Sequence, residues 1–197
     1  SHELHQAFSI GISLFPDDGY DAGTLMMRAD TAMYLAKRNG RNASRFYTRE
    51  LASSVDARIE LENSLRRSLR NGDLILHYQP QIDSLSGRIV GVEGLARWQR
   101  GDRLVLPGEF LPIAEETRLI VDIDQWAIRA ACRQNRIWQQ AGLPPIRVSV
   151  NIAAANFDTD DLVDTVVEAL QDSGLPAEFL ELEVTETTLM RDVQRTD

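Results

Sequence analysis

Three short segments carry the residues that could do chemistry: GVEGLARW at 91–98, VSVN at 148–151 and LELEVTE at 180–186. In the first, a single carboxylate, Glu93, interrupts an apolar run, and burying it there without a partner would be costly. Strand alternation puts Ile89, Gly91, Glu93 and Leu95 on one face. In the last segment it puts Leu180, Leu182 and Val184 on one face and Glu181, Glu183 and Thr185 on the other, with Glu186 next. If these segments are parallel strands of a barrel, Glu93, Asn151 and Glu183 stand at or near one rim, where the reactive groups of such barrels sit. Carboxylate and carboxamide oxygens suit a hard divalent cation, Mg²⁺ or Mn²⁺, better than zinc. That cation would compensate the charge of Glu93. Taken singly, each of these side chains is more often a solvated rim residue or a helix cap.

The elements that must position these residues can be read from periodicity and turn chemistry. Residues 8–15 alternate as a strand, and Pro16 and Gly19 break it. Leu25, Ala29, Ala32, Met33 and Ala36 fall on one face of a helix over 22–38, stopped by Asn39-Gly40. A short strand over 45–47 and a helix over 48–70 follow. The domain boundary is expected near residue 49, giving segments 1–48 and 49–197. Strands at 74–82 and 88–98, joined by Asp83-Ser84-Leu85-Ser86-Gly87, form a hairpin. Helices are expected at 109–117 and 123–141. Then a rhythm appears twice: a helix ends at Gly142 or Gly174, Leu-Pro follows, and a strand begins, at 146–151 and 179–186. That is the pattern of βα units in a parallel sheet.

Composition sets limits on function. The chain has 197 residues and a formal charge of −9, and the acidic excess lies wholly in the second part. Residues 71–197 carry 21 acidic and eleven basic side chains, whereas 1–70 are nearly balanced. Double-stranded nucleic acid is a poor partner for such a surface. The single cysteine, Cys132, excludes an internal disulfide and reads as a small core residue. No apolar run has the length of a bilayer span, so a cytoplasmic location is expected, with any membrane anchor in upstream domains of a parent. His2, His5 and His77 have no zinc spacing. Trp98, Trp126 and Trp138 read as core or half-core aromatics.

From about Arg58 onward the chain resembles the first part of an EAL domain, the cyclic di-GMP phosphodiesterase family. The segments that carry the resemblance come in order: HYQPQID, GVEGLARW, LPGEFLPIAEETRLI, VSVNIAAANF and LELEVTE. Residues 7–47, with FSIGISLFPDDG and ADTAMYLAKRNGRN, resemble the tail of a GGDEF domain, the diguanylate cyclase family. The resemblance implies an α/β fold: an incomplete TIM-type (β/α) barrel whose first strand pair is a hairpin, preceded by a small α+β remnant. It implies that Glu93, Asn151 and Glu183 bind one or two Mg²⁺ or Mn²⁺ ions and that Glu186 steadies an active-site loop. Gln79 and Arg97 would contact the dinucleotide, and Leu95 would form an apolar wall beside it. Lys37 and Arg41 match residues that touch GTP, although basic residues in a last helical turn are explained by the helix dipole.

The implied function is metal-dependent hydrolysis of cyclic di-GMP to linear pGpG in bacterial signalling. The alternative is an inactive module that senses cyclic di-GMP. A homodimer through the EAL-like domain is also compatible. Two departures stand out. Gly94 makes the signature Glu-Gly-Leu rather than Glu-Ala-Leu. In addition, the family's paired aspartates, catalytic lysine and later glutamate would lie past Asp197, and the one lysine present, Lys37, is in the wrong domain. The chain is therefore expected to be a fragment that is inactive alone.

Overall fold

The computed structural model describes residues 8–38, 42–158 and 161–184. The chain divides into two compact units, Ser1–Asn63 and Ser64–Asp197. In the first, β1 (Ile10–Ile12) pairs in parallel with β2 (Ser44–Phe46), and α1 (Ala22–Arg38) lies between them in sequence. Gly11 lets α1 approach β1 closely, since a Cβ there would collide with the Ala29 carbonyl and the Met33 backbone. The strand expected over 8–15 is thus only three residues long; beyond it, the N–H of Leu14 turns to Oδ2 of Asp18 and the chain leaves the ladder. The expected stop at Asn39-Gly40, and Arg41, lie outside the described residues, while Lys37 is an exposed residue of α1.

Helix α2 (Arg49–Asn71) carries the chain into the second unit. There β3 (Leu74–Ile82) and β4 (Ile89–Arg100) form the expected antiparallel hairpin. β4 runs on to a further antiparallel partner, β5 (Arg103–Val105), which the periodicity did not reveal. Helices α3 (Pro107–Glu116) and α4 (Leu119–Gln140) follow, then β6 (Arg147–Ile152), α5 (Asp161–Ser173) and β7 (Leu180–Val184). β6 pairs in parallel with β4 and with β7, giving the order β3-β4-β6-β7. Gly142 and Gly174, at φ 84° and 66°, end α4 and α5 in the left-handed conformation that glycine adopts without a Cβ penalty. The Leu-Pro after each starts the turn into the next strand.

The two faces of this sheet differ in kind. Val92, Val148, Val150 and Ile152 point to one side and pack against Ile128, Ala131 and Cys132 of α4 and Ala169 of α5. Tyr78 and Trp138 meet edge to face at 4.6 Å over the same layer. Buried Asn135 fastens α4 to the strand entries, donating from Nδ2 to the carbonyls of Ile146 and Phe179. The opposite face carries Gln79, Gln81, Glu93, Ser149, Asn151, Glu181 and Glu183, by alternation and register. Among the described residues the sheet does not close on itself, and the architecture is an incomplete TIM-barrel-like α/β fold.

Candidate functional site

Register fixes how the polar residues meet. Gln79 pairs with Glu93 across the hairpin, Glu93 with Ser149 across the parallel ladder, and Asn151 with Glu183 on the next strand. Glu93 and Glu183 therefore share one face, on strands two positions apart and roughly 10 Å between backbones. Asn151 stands between them. Its Nδ2 donates to Oε1 of Glu93 at 2.7 Å, which leaves the carboxamide oxygen as an acceptor on the same side chain. Glu183 accepts from Nε2 of Gln81 at 3.3 Å.

Glu93 lies near the middle of β4, as it does in the expected strand 88–98. The parallel pairing of β4 with β6 stops at Gly94, while β4 runs on antiparallel to β3 as far as Trp98 and to β5 over residues 98–100. Glu93 thus sits at the carboxyl end of the parallel part. Its neighbour Gly94 faces the other way, with Val150 and Leu76 within van der Waals reach of a Cβ built there. Glu93 and Glu183 are half-buried and Asn151 is exposed.

Of the other expected residues, Gln79 lies exposed beside Glu93 in the ladder. Arg97 is half-buried and donates from Nη1 to the carbonyl of Ala96 at 2.9 Å. Leu95 lines a cavity of about 390 Å³ together with Ala96, Leu111, Ile123 and Asn151. Glu186 lies outside the described residues.

Two residues went unnoticed in the sequence. Asp124, on the buried side of α4, accepts from the Ala153 N–H at 2.8 Å and from Nδ2 of Asn156 at 2.6 Å, both at one oxygen. It thereby ties down the turn that follows Asn151. Burial pushes its carboxyl up to about 6, and Glu115 adds to the rise. A carboxylate between Ile123 and Ala127 on an otherwise apolar helix face was the available signal. The second is Gln81, two residues past the recognised Gln79, which reaches both Ser149 and Glu183.

Oxygen donors of two carboxylates and one carboxamide, on adjacent strands of one face, fit a hard divalent cation, which takes six or more oxygens. Among the described residues no cluster of three or more His, Cys, Asp or Glu side chains forms a metal-binding group, so the set relies on Asn151 and on further oxygens from water or substrate. Glu181, on the same strand face as Glu183, is engaged instead with Arg147 at 3.2 Å.

The model of the EAL domain matches residues 62–197, and that of the diguanylate cyclase GGDEF domain matches residues 1–43. The chain is 43% identical over 192 residues to the bifunctional diguanylate cyclase/cyclic di-GMP phosphodiesterase MucR of Pseudomonas aeruginosa, covering 97% of this chain and 28% of MucR. It is 35% identical over 191 residues to the cyclic di-GMP phosphodiesterase PdeR of Escherichia coli, covering 96% of this chain and 29% of PdeR. It thus spans under a third of the length of these relatives. Among solved structures, the PaMucR phosphodiesterase in complex with c-di-GMP superposes with a TM-score of 0.64 at 43% identity, over 69% of this chain and 56% of that one. The Xanthomonas citri FimX EAL domain in complex with c-diGMP gives 0.66 at 27% identity, over 73% and 55%.

Proposed function

The chain belongs to the EAL domain family through residues 62–197, preceded by GGDEF domain residues at 1–43, and from that premise we propose that the full-length protein hydrolyses cyclic di-GMP to linear pGpG with a divalent cation, Mg²⁺ or Mn²⁺. The observation that carries the reading is that Glu93, Asn151 and Glu183 stand on one sheet face, with Asn151 in register with Glu183 and hydrogen-bonded to Glu93.

When bound, the cation supplies Lewis acidity toward the phosphodiester and acidifies water. Glu93 and Glu183 bring the negative charge that holds it. Asn151 contributes its carboxamide oxygen while its N–H fixes the Glu93 carboxylate. Arg97 grips a phosphate oxygen pair once its guanidinium turns from the Ala96 carbonyl, and the planar fork suits that task. Gln79, beside Glu93 in the ladder, donates to the dinucleotide. Leu95 and the apolar part of the 390 Å³ cavity exclude water beside the scissile bond.

The test is turnover of cyclic di-GMP by the intact protein with Mg²⁺ or Mn²⁺, followed as appearance of pGpG. Glu93→Gln keeps the shape and removes the charge. Loss of at least a hundredfold in kcat supports the proposal, in line with the scale of transition-state charge stabilisation (about 10²–10³). A variant as active as the wild type contradicts it. A wild type that binds the dinucleotide without cleaving it makes the domain a sensor.

A further inference from the structure

The side chain of Gln81 crosses the sheet face rather than following its own strand. It starts on β3, passes over Gly91 of β4, and brings Nε2 to 3.3 Å from both Oγ of Ser149 on β6 and Oε1 of Glu183 on β7. Gly91 makes the path possible. A Cβ built there would lie 2.7 Å from Oε1 of Gln81, inside any real contact distance. Ser149 is 1% exposed, so the far end of the amide rests on a buried polar floor. Glu181, which could compete for the amide, is occupied by Arg147.

We propose that Gln81 is a positioning residue for Glu183, that the missing side chain at Gly91 is its requirement, and that the pair tunes how tightly Glu183 binds a divalent cation. This rests on the metal-site reading above. An N–H on one carboxylate oxygen sets the orientation of the other, and such partners behind a metal ligand typically change affinity by about 10–100-fold. The two carboxylates of the site are then held alike: Glu93 by the amide of Asn151 and Glu183 by the amide of Gln81.

The experiment is calorimetric titration of the metal-free intact protein with Mn²⁺ alone, without dinucleotide. The binding step of interest is the one that Glu183→Gln weakens. Gln81→Leu keeps side-chain bulk and removes the donor; it should weaken that step about tenfold with an unchanged thermal midpoint. Gly91→Ala, with Gln81 intact, should weaken it in the same sense, because the new methyl displaces the flexible amide. The double variant should be no weaker than the weaker single one. Gln81→Leu within twofold of wild type, while Glu183→Gln loses the step, overturns the inference and leaves the metal site standing. Additive losses at Gln81 and Gly91 also overturn it. Unchanged Mn²⁺ binding in Glu183→Gln overturns the metal site itself, and this inference with it.

Discussion

Asn151 donates from Nδ2 to Oε1 of Glu93 at 2.7 Å, across the parallel pair of β4 and β6. The bond joins two segments 58 residues apart and answers how a half-buried glutamate is tolerated in an apolar strand. One of its oxygens is satisfied by an amide N–H, and the arrangement leaves the asparagine oxygen to act beside it.

Replacing that amide by a carboxylate tests the pair. In Asn151→Asp, two carboxylates face each other within hydrogen-bonding distance, so they share a proton and one of them titrates well above the ordinary carboxylate range. The folded state then holds a proton that the unfolded state has released. Stability of the variant relative to wild type should be highest near pH 4 and fall as pH rises toward neutrality. Mn²⁺ should restore it at neutral pH. Urea unfolding at several pH values, with and without the ion, measures both effects; a flat difference contradicts the geometry.

Asp124 gives a second pH dependence, from burial. Its carboxyl titrates at about 6 in the folded chain, above its ordinary 3.8. Its contribution is therefore fully present below about pH 4 and is lost as pH rises through about 6, by roughly 3 kcal/mol at most. Asp124→Asn keeps an oxygen for the Ala153 and Asn156 donors and removes the titration. Relative to that variant, wild type should lose stability between pH 4 and 7 in denaturant unfolding. A constant difference across that range would show that Asp124 is not desolvated.

Gly94→Ala restores the family signature. A Cβ there meets the Ser149 carbonyl at 3.3 Å and a Val150 methyl at 3.4 Å, tight but not prohibitive. The gain from stiffening the unfolded chain, about 0.4–1 kcal/mol, is offset by this crowding. The expected change in unfolding free energy is below about 1 kcal/mol, with Mn²⁺ affinity unaltered because Glu93 faces the other way. A large loss of metal binding would show that the backbone of Glu93 depends on the glycine.

Cys132 is 0% exposed, and burial pushes its thiol up to about 11. It should resist a thiol reagent such as dithiobisnitrobenzoate at neutral pH and react only on unfolding, since the thiolate is the reactive form. Fast labelling of Cys132 in the folded protein would place it outside the core described here.

Much of this organisation was legible in the sequence, and for definable reasons. The hairpin strand 74–82 was read to its ends because Asn71-Gly72 and the Asp83–Gly87 turn bound it chemically. The parallel strands were legible because each helix ends in glycine followed by Leu-Pro. Glu93, Asn151 and Glu183 were singled out as candidates through alternation and family motifs, and the strand pairing puts them on one face. What escaped was tertiary. The strand β5 has three residues and no periodicity of its own. Gln81 looked like any strand glutamine, because its role depends on the absence of a side chain at Gly91, ten residues on. Asp124 escaped because its partners, Ala153 and Asn156, arrive from another strand's loop.

Whether Glu93, Asn151 and Glu183 share one cation is read by anomalous diffraction at the manganese edge from crystals of the intact protein grown with Mn²⁺. A peak is expected on the polar sheet face, with oxygens of Glu93, Asn151 and Glu183 all within about 2–2.6 Å of it. A peak held by other residues, or one that touches Glu93 without Glu183, would contradict a shared site.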